Sequence, residues 1–374
     1  MSAFARSLFR SLTHPSPTEE DVIDTPPSQA QPPSYEGVLL VCLGSKTISA
    51  GFATPRCSAP RCVVPCCVGH AGGEKLFDWQ LRSASGSVEL RRPIANGLIV
   101  DWEALEQLLH FVLYNELRVA PEEHPLLVTV SPQLSAQDRG KLAALLFDHF
   151  EIPLLRLEDE ATLSLPRSTG LLLDFGDSHT SVIPIVRGRV YAPAIVRLSL
   201  SGSDLTTKLR AALKRPLPDH EVDNVKRSVC YVSMDCQGDL AAAGSSFATL
   251  ELADHSTLEV GCERFAVPEL LFSQAALVAN IFLAISRCPE EDRAAVAESV
   301  VIMGGAFRGL CDRLRRDCSD RTPTLSISQP YTVPYGAYFR ALSVALKRDA
   351  PEHYFISRDL HQELGSDALG KQAL

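Results

Sequence analysis

Leu39-Leu40-Val41-Cys42-Leu43-Gly44-Ser45 returns 132 positions later as Leu171-Leu172-Leu173-Asp174-Phe175-Gly176-Asp177. Each copy is an apolar strand, then one residue, a bulky residue, a glycine and a small polar residue. Ser49–Ala53 returns as the hairpin partner of the first strand, and Ser181–Val186 as that of the second. Duplicated hairpins of this kind suit a phosphate clamp. Glycine lets backbone N–H groups approach an anion, and the small polar side chain adds a hydrogen bond. An acid at the strand end, as at Asp174, holds a cation through water. Val300-Val301-Ile302-Met303-Gly304-Gly305 is a third strand ending in glycines, suited to a nucleoside lying flat against backbone. A duplicated structural turn with no ligand carries the same signature, and both readings stay open.

Around these strands the pattern alternates with helices, which implies an α/β architecture. Asp101 reads as the N-cap of a helix over Trp102–Leu117, with Leu105, Leu108, Leu109, Val112 and Leu113 on one face. Leu126–Val130 is a buried strand, and Ser135 caps a helix over Ala136–His149. Ser203 reads as the cap of a helix through Leu213. Phe247–Leu252 and Thr257–Val260 form a hairpin. Further helices are expected over Gln274–Ser286, Glu290–Glu298, Arg308–Arg316 and Gly336–Lys347. Residues 1–36 differ in kind: six prolines fall among Ser, Thr and acids, the composition of a disordered extension. Inside it, Phe4, Leu8 and Leu12 recur at helical spacing beside Arg6 and Arg10, and read as a fraying terminus or a short anchor. Pro32-Pro33-Ser34-Tyr35 fits a motif that docks on WW-type aromatic grooves.

The 374 residues allow two or more cored domains. Net charge is -9, from 36 basic and 45 acidic residues, which argues against nucleic acid as a partner. No apolar run reaches the ~18 residues of a membrane span, and the first residues do not read as a secretory signal. The eleven cysteines then read as mostly free thiols in a reducing compartment. Cys57, Cys62, Cys66 and Cys67 with His70 show no Cys-x-x-Cys pair of a zinc site, and read as buried thiols with zinc as the alternative.

Tyr114-Asn115-Glu116-Leu117-Arg118-Val119-Ala120-Pro121-Glu122-Glu123-His124-Pro125 resembles a hallmark segment of conventional actin. Arg92-Pro93-Ile94 through Gly97, then Asp101-Trp102, is similar to the stretch before it. Ala50–Ala53, Ala59–Arg61, Asp204–Thr206, Cys230–Val232 and Glu263–Phe265 resemble actin in the expected order. The resemblance covers about residues 38–362 and weakens after 240. It implies the actin/Hsp70/sugar-kinase (ribonuclease H-like) fold: two lobes, four subdomains, and ATP with a divalent cation in the central cleft. It also implies a first lobe over 37–165, a second over 166–335, and a C-terminal segment, 336–374, returning to the first. Its divergence is similar to that of germ-cell actin-like proteins, which implies a role in spermatogenesis.

On that alignment, Gly44, Ser45, Asp174, Gly176, Asp177, Lys226, Gly304 and Gly305 match nucleotide-binding positions. Seven others depart. Cys42 stands for an acid, and a thiol is a poor substitute in the water shell of Mg²⁺. Lys46 replaces a clamp glycine and reads either as a substitute charge or, being a turn residue, as pointing to solvent, the second being expected. Ser49 replaces a phosphate-reaching lysine, Phe175 a serine, and Ser181 the histidine that helps position attacking water. His179, expected on the same strand and face as Ser181, is a partial substitute or an incidental cleft-edge histidine. Glu160 replaces a water-orienting glutamine and adds repulsion beside a triphosphate unless protonated. Arg227 replaces an acid that contacts ribose, a contact a guanidinium cannot accept. Each lost contact costs about 1–3 kcal/mol, and micromolar binding is worth roughly 8 kcal/mol.

The expected function is therefore a cytoplasmic, cytoskeletal structural or adaptor protein with a degraded ATPase site. The alternative is an ATP-binding switch with slow or no hydrolysis, ATP and Mg²⁺ being weak ligands. A sugar kinase or chaperone ATPase is a third reading, against which the hallmark segment counts. The short stretch between His70 and Glu89, and Pro166 with the shortened Arg167–Gly170 loop, argue against co-polymerisation with conventional actin. Glu116, Arg118, Glu122 and Glu123 read as a solvated surface or as a protein interface.

Overall fold

The computed structural model describes residues 37–54, 59–84, 87–242, 247–319, 321, 325–329, 341–342, 345 and 355–364. The proline-rich extension with its Pro32, Pro33, Tyr35 motif, Cys57, and most of the expected Gly336–Lys347 helix lie outside them.

Strand Leu39–Leu43 is buried along its whole length because every side chain is apolar and both faces are covered. It pairs antiparallel with Thr47–Phe52, its hairpin partner, and parallel with Leu126–Val130. Cys62–Pro65 extends that sheet on one side. Leu154–Asp159 and the short Ile356–Ser357 extend it on the other. The second sheet repeats the plan. Gly170–Phe175 pairs antiparallel with Thr180–Val186 and parallel with Val300–Gly304, and Ile327–Ser328 lies beyond. Each hairpin strand thus has one antiparallel and one parallel neighbour. This is the two-lobed α/β fold the resemblance implied, with a core under each sheet.

Helix Trp102–His110 is capped by Asp101, whose carboxylate accepts from the Ala104 N–H. It runs on as a π-helix over Phe111–Leu117. Ser135 caps Ala136–Asp148. The Gly202–Ala212 helix starts two residues earlier than expected: Ser201, not Ser203, caps it, in a reciprocal box with Asp204. Helices Asp219–Val229 and Glu263–Ser273 were not expected. The helix expected from Gln274 begins at Leu277.

One 25-residue stretch, Glu263–Arg287, is apolar enough by length and composition to cross a membrane, against the expectation that no run qualifies. Its backbone breaks at Ala276, where φ is 49°. The two resulting helices bury Phe265, Val267, Leu271, Leu277, Ile281 and Ala284, most of them in the second core. Between His70 and Glu89, Val68–Ala71, Glu74–Leu76 and Glu89–Arg91 form a three-stranded sheet with the one-turn helix Trp79–Ser83. Cys62, Cys66 and Cys67 are buried, and burial pushes all three thiols up. No group of three or more His, Cys, Asp or Glu among the described residues is placed to hold a metal ion.

Candidate functional site

The two hairpin turns share one backbone constraint. In the first, the Gly44 N–H donates to the Thr47 carbonyl at 3.2 Å, and a Cβ on Gly44 would sit 2.8 Å from that oxygen. In the second, a Cβ on Gly176 would sit 2.7 Å from the His179 carbonyl. Only glycine fits either turn without a shift. The third glycine turn closes on the second: Gly304 has φ +80°, with space for a Cβ blocked by the Phe175 carbonyl at 2.4 Å. The Gly305 N–H donates to that same oxygen at 2.8 Å.

These turns bound one cavity of about 450 Å³, a volume within the ordinary range for small-molecule sites. It brings together Gly44, Ser45, Asp174, Gly176, Asp177, Lys226, Gly304 and Gly305, with Lys46, Glu160, Phe175, His179, Arg227 and Arg308. The hairpins face one another: the Ser178 N–H lies 3.4 Å from Ser45 Oγ, and the Asn96 N–H donates to Ser178 Oγ at 3.0 Å. Three departures are not in the lining. Cys42 packs with Leu40, Leu127 and Leu163, and burial pushes its thiol up to about 12, so it is neutral. Ser49 is buried opposite Cys42 across the hairpin. Ser181 is fully buried opposite Asp174, and its hydroxyl has no partner among the described residues.

Lys46 corrects an expectation. It does not point to solvent. Its ammonium donates to Asp223 Oδ1 at 2.6 Å and lies 3.4 Å from Asp177 Oδ1. Asp223 carries no motif that marks it in the sequence, yet it is the centre of the charge network. Lys226 Nζ is 3.2 Å from its Oδ1, and Arg227 Nε is 2.9 Å from its Oδ2. Burial pushes the Asp223 carboxyl up, but these cations outweigh it and hold it below the usual carboxylate range. The spacing Asp223-x-x-Lys226-Arg227, one helical turn, is the signal that could point to it once a helix is assumed there. Lys226 is buried and also donates to Thr206 Oγ1 at 2.6 Å and to the Gly202 carbonyl at 2.8 Å. Burial lowers its pKa, with Asp223 pulling the other way.

Across the cavity, burial pushes the carboxyls of Glu160 and Asp174 far up, and proximity to Asp174 adds to the rise at Glu160. Both hold protons well above the pH at which a free carboxyl loses them. His179 is the last residue of the turn and not part of the strand, which begins at Thr180. Its Nε2 nonetheless lies 3.6 Å from Asp174 Oδ2. Burial, helped by Arg197, keeps the ring neutral-leaning.

A hydrated magnesium ion does not fit this donor set. Cys42, at the acid position of the first hairpin, is a buried neutral thiol, and the Asp177 carboxylate is already turned to the Lys46 ammonium. A family model described as Actin matches residues 35–224 and, in a second segment, 218–372. These matches span both sheets, both hairpins and the glycine turns between them, so the chain belongs to the actin family.

Proposed function

We propose that this actin-family chain acts as a structural or adaptor protein through protein contacts, its ATPase chemistry lost. The reading is carried by one observation: the carboxylate site of the first hairpin is a buried neutral thiol, Cys42, while the neighbouring Lys46 is tied to Asp223 and Asp177. On this reading hydrolysis has no starting point in the cleft, because the cation that would organise it lacks the first hairpin's carboxylate. Cytoskeletal proteins are the partner class that family membership supports, and a cytoplasmic location goes with it. A WW-domain partner at Pro32, Pro33 and Tyr35, a germ-cell setting, and exclusion from conventional actin filaments extend the same reading. The compact sheet between Val68 and Arg91 supports the last of these.

A second reading, an ATP-binding switch, is favoured by the open cavity and its three preserved glycine turns. Calorimetric titration of the purified chain with ATP, with and without Mg²⁺, separates the two. No saturable magnesium-dependent binding and no phosphate release are expected. Micromolar, magnesium-dependent binding with a raised Tm favours the switch, and sustained phosphate release ends the scaffold reading. Co-sedimentation with conventional actin filaments tests exclusion: the chain is expected to stay in the supernatant.

A further inference from the structure

We propose that Lys46 is a built-in brace that holds the cleft closed without nucleotide or metal, by linking the first hairpin to Asp223 and Asp177 of the second lobe. This deepens the scaffold reading and rests on it for its purpose, since a fixed partner surface needs a fixed lobe arrangement. Lys46 sits in the turn between Leu39–Leu43 and Thr47–Phe52, whereas Asp223 lies 177 residues away on the Asp219–Val229 helix.

The receiving side is itself fastened. Asp223 is held by Lys226 and Arg227, and Lys226 is anchored to Thr206 and the Gly202 carbonyl. The Gly202 N–H donates to the Gly176 carbonyl at 3.0 Å, and the Ser203 N–H to the Asp177 carbonyl at 2.8 Å. Asp177, Asp223 and the second hairpin therefore move as one piece, and Lys46 is the cation that reaches them from the first sheet. Three further contacts accompany it: Ser178 N–H to Ser45 Oγ, Asn96 N–H to Ser178 Oγ, and the Arg197 guanidinium to the Asn96 carbonyl at 2.8 Å. The brace occupies the gap between the two hairpins, so an anion entering there has to compete with two carboxylates for the same ammonium. A third of the Lys46 side chain is exposed, so salt weakens the link without abolishing it.

Hydrogen exchange and small-angle scattering on the full chain, freed of nucleotide and treated with chelator, test the brace. Lys46→Glu, which faces two carboxylates, is expected to speed exchange of the amides of residues 44–47 and 176–179 by ~5-fold or more, with a larger radius of gyration. Lys46→Met is expected to give a smaller change, and Lys46→Arg to stay near the parent. Added salt should speed the same amides in the parent but not in Lys46→Met. Cooperative melting of each variant confirms that it folds, as expected for a turn residue. Parent-like exchange and radius in Lys46→Glu overturn the brace and leave the scaffold reading intact. Tight magnesium-dependent ATP binding by the parent overturns the scaffold reading and leaves the exchange result standing.

Discussion

Replacing Cys42 by aspartate sets a carboxylate among Leu40, Leu127 and Leu163 and beside the raised carboxyl of Glu160. Cys42→Asp is expected to lower stability by on the order of 2–3 kcal/mol in urea unfolding and to restore no magnesium-dependent ATP hydrolysis. Recovered hydrolysis would show that the thiol alone removed the chemistry. Glu160 and Asp174 make a second prediction. Both bind protons more tightly in the folded chain than in the unfolded one. Between the unfolded carboxyl range near 4 and their raised native values, the folded state carries more protons. Stability therefore falls as pH rises through that window, by ~2 kcal/mol. Tm measured from acid to mildly alkaline pH should show this fall, and Glu160→Gln should flatten it. An identical slope in the variant would assign the effect elsewhere.

At the scale of elements, the capping box fixes where the second hairpin meets its helix. Ser201→Ala is expected to cost about 1 kcal/mol, read as a lower urea midpoint at unchanged slope. Gly304→Ala is expected to cost ~2 kcal/mol or more, since its φ is positive and a methyl group would meet the Phe175 carbonyl at 2.4 Å. The hairpins were legible in sequence because their residues are local: strand, glycine and polar residue lie within seven positions. Ser201 was missed in favour of Ser203: the Ser201-Gly202-Ser203-Asp204 spacing fits a capping box, but Ser199, Ser201 and Ser203 at alternate positions offer competing caps. Helix Asp219–Val229 is hard to see in sequence because its buried face includes Glu221 and Lys226, which no apolar periodicity marks. Helix Glu263–Ser273 is masked by Pro268 in its interior. The direction of Lys46 was not legible at all, since its partner stands 177 residues away and only the folded backbone brings them together.

At the scale of the whole molecule, the chain divides into two units, residues 1–34 and residues 35–374. A chain shortened to begin at Gly37 is expected to keep its Tm, and partners lost from affinity isolation on shortening would belong to the proline-rich segment. A drop of several degrees in Tm would show that the extension stabilises the fold. The strand order of the first sheet has a consequence for biosynthesis. Its outermost strand on one side, Ile356–Ser357, lies far along the chain from Leu39–Leu43 near its centre. On the ribosome that sheet waits for translation to pass Ser357, long after Leu39–Leu43 has emerged, before this edge is covered. A premature stop codon just upstream of Phe355 would leave Leu154–Asp159 with an unpaired edge, and the truncated product would present a template for self-association.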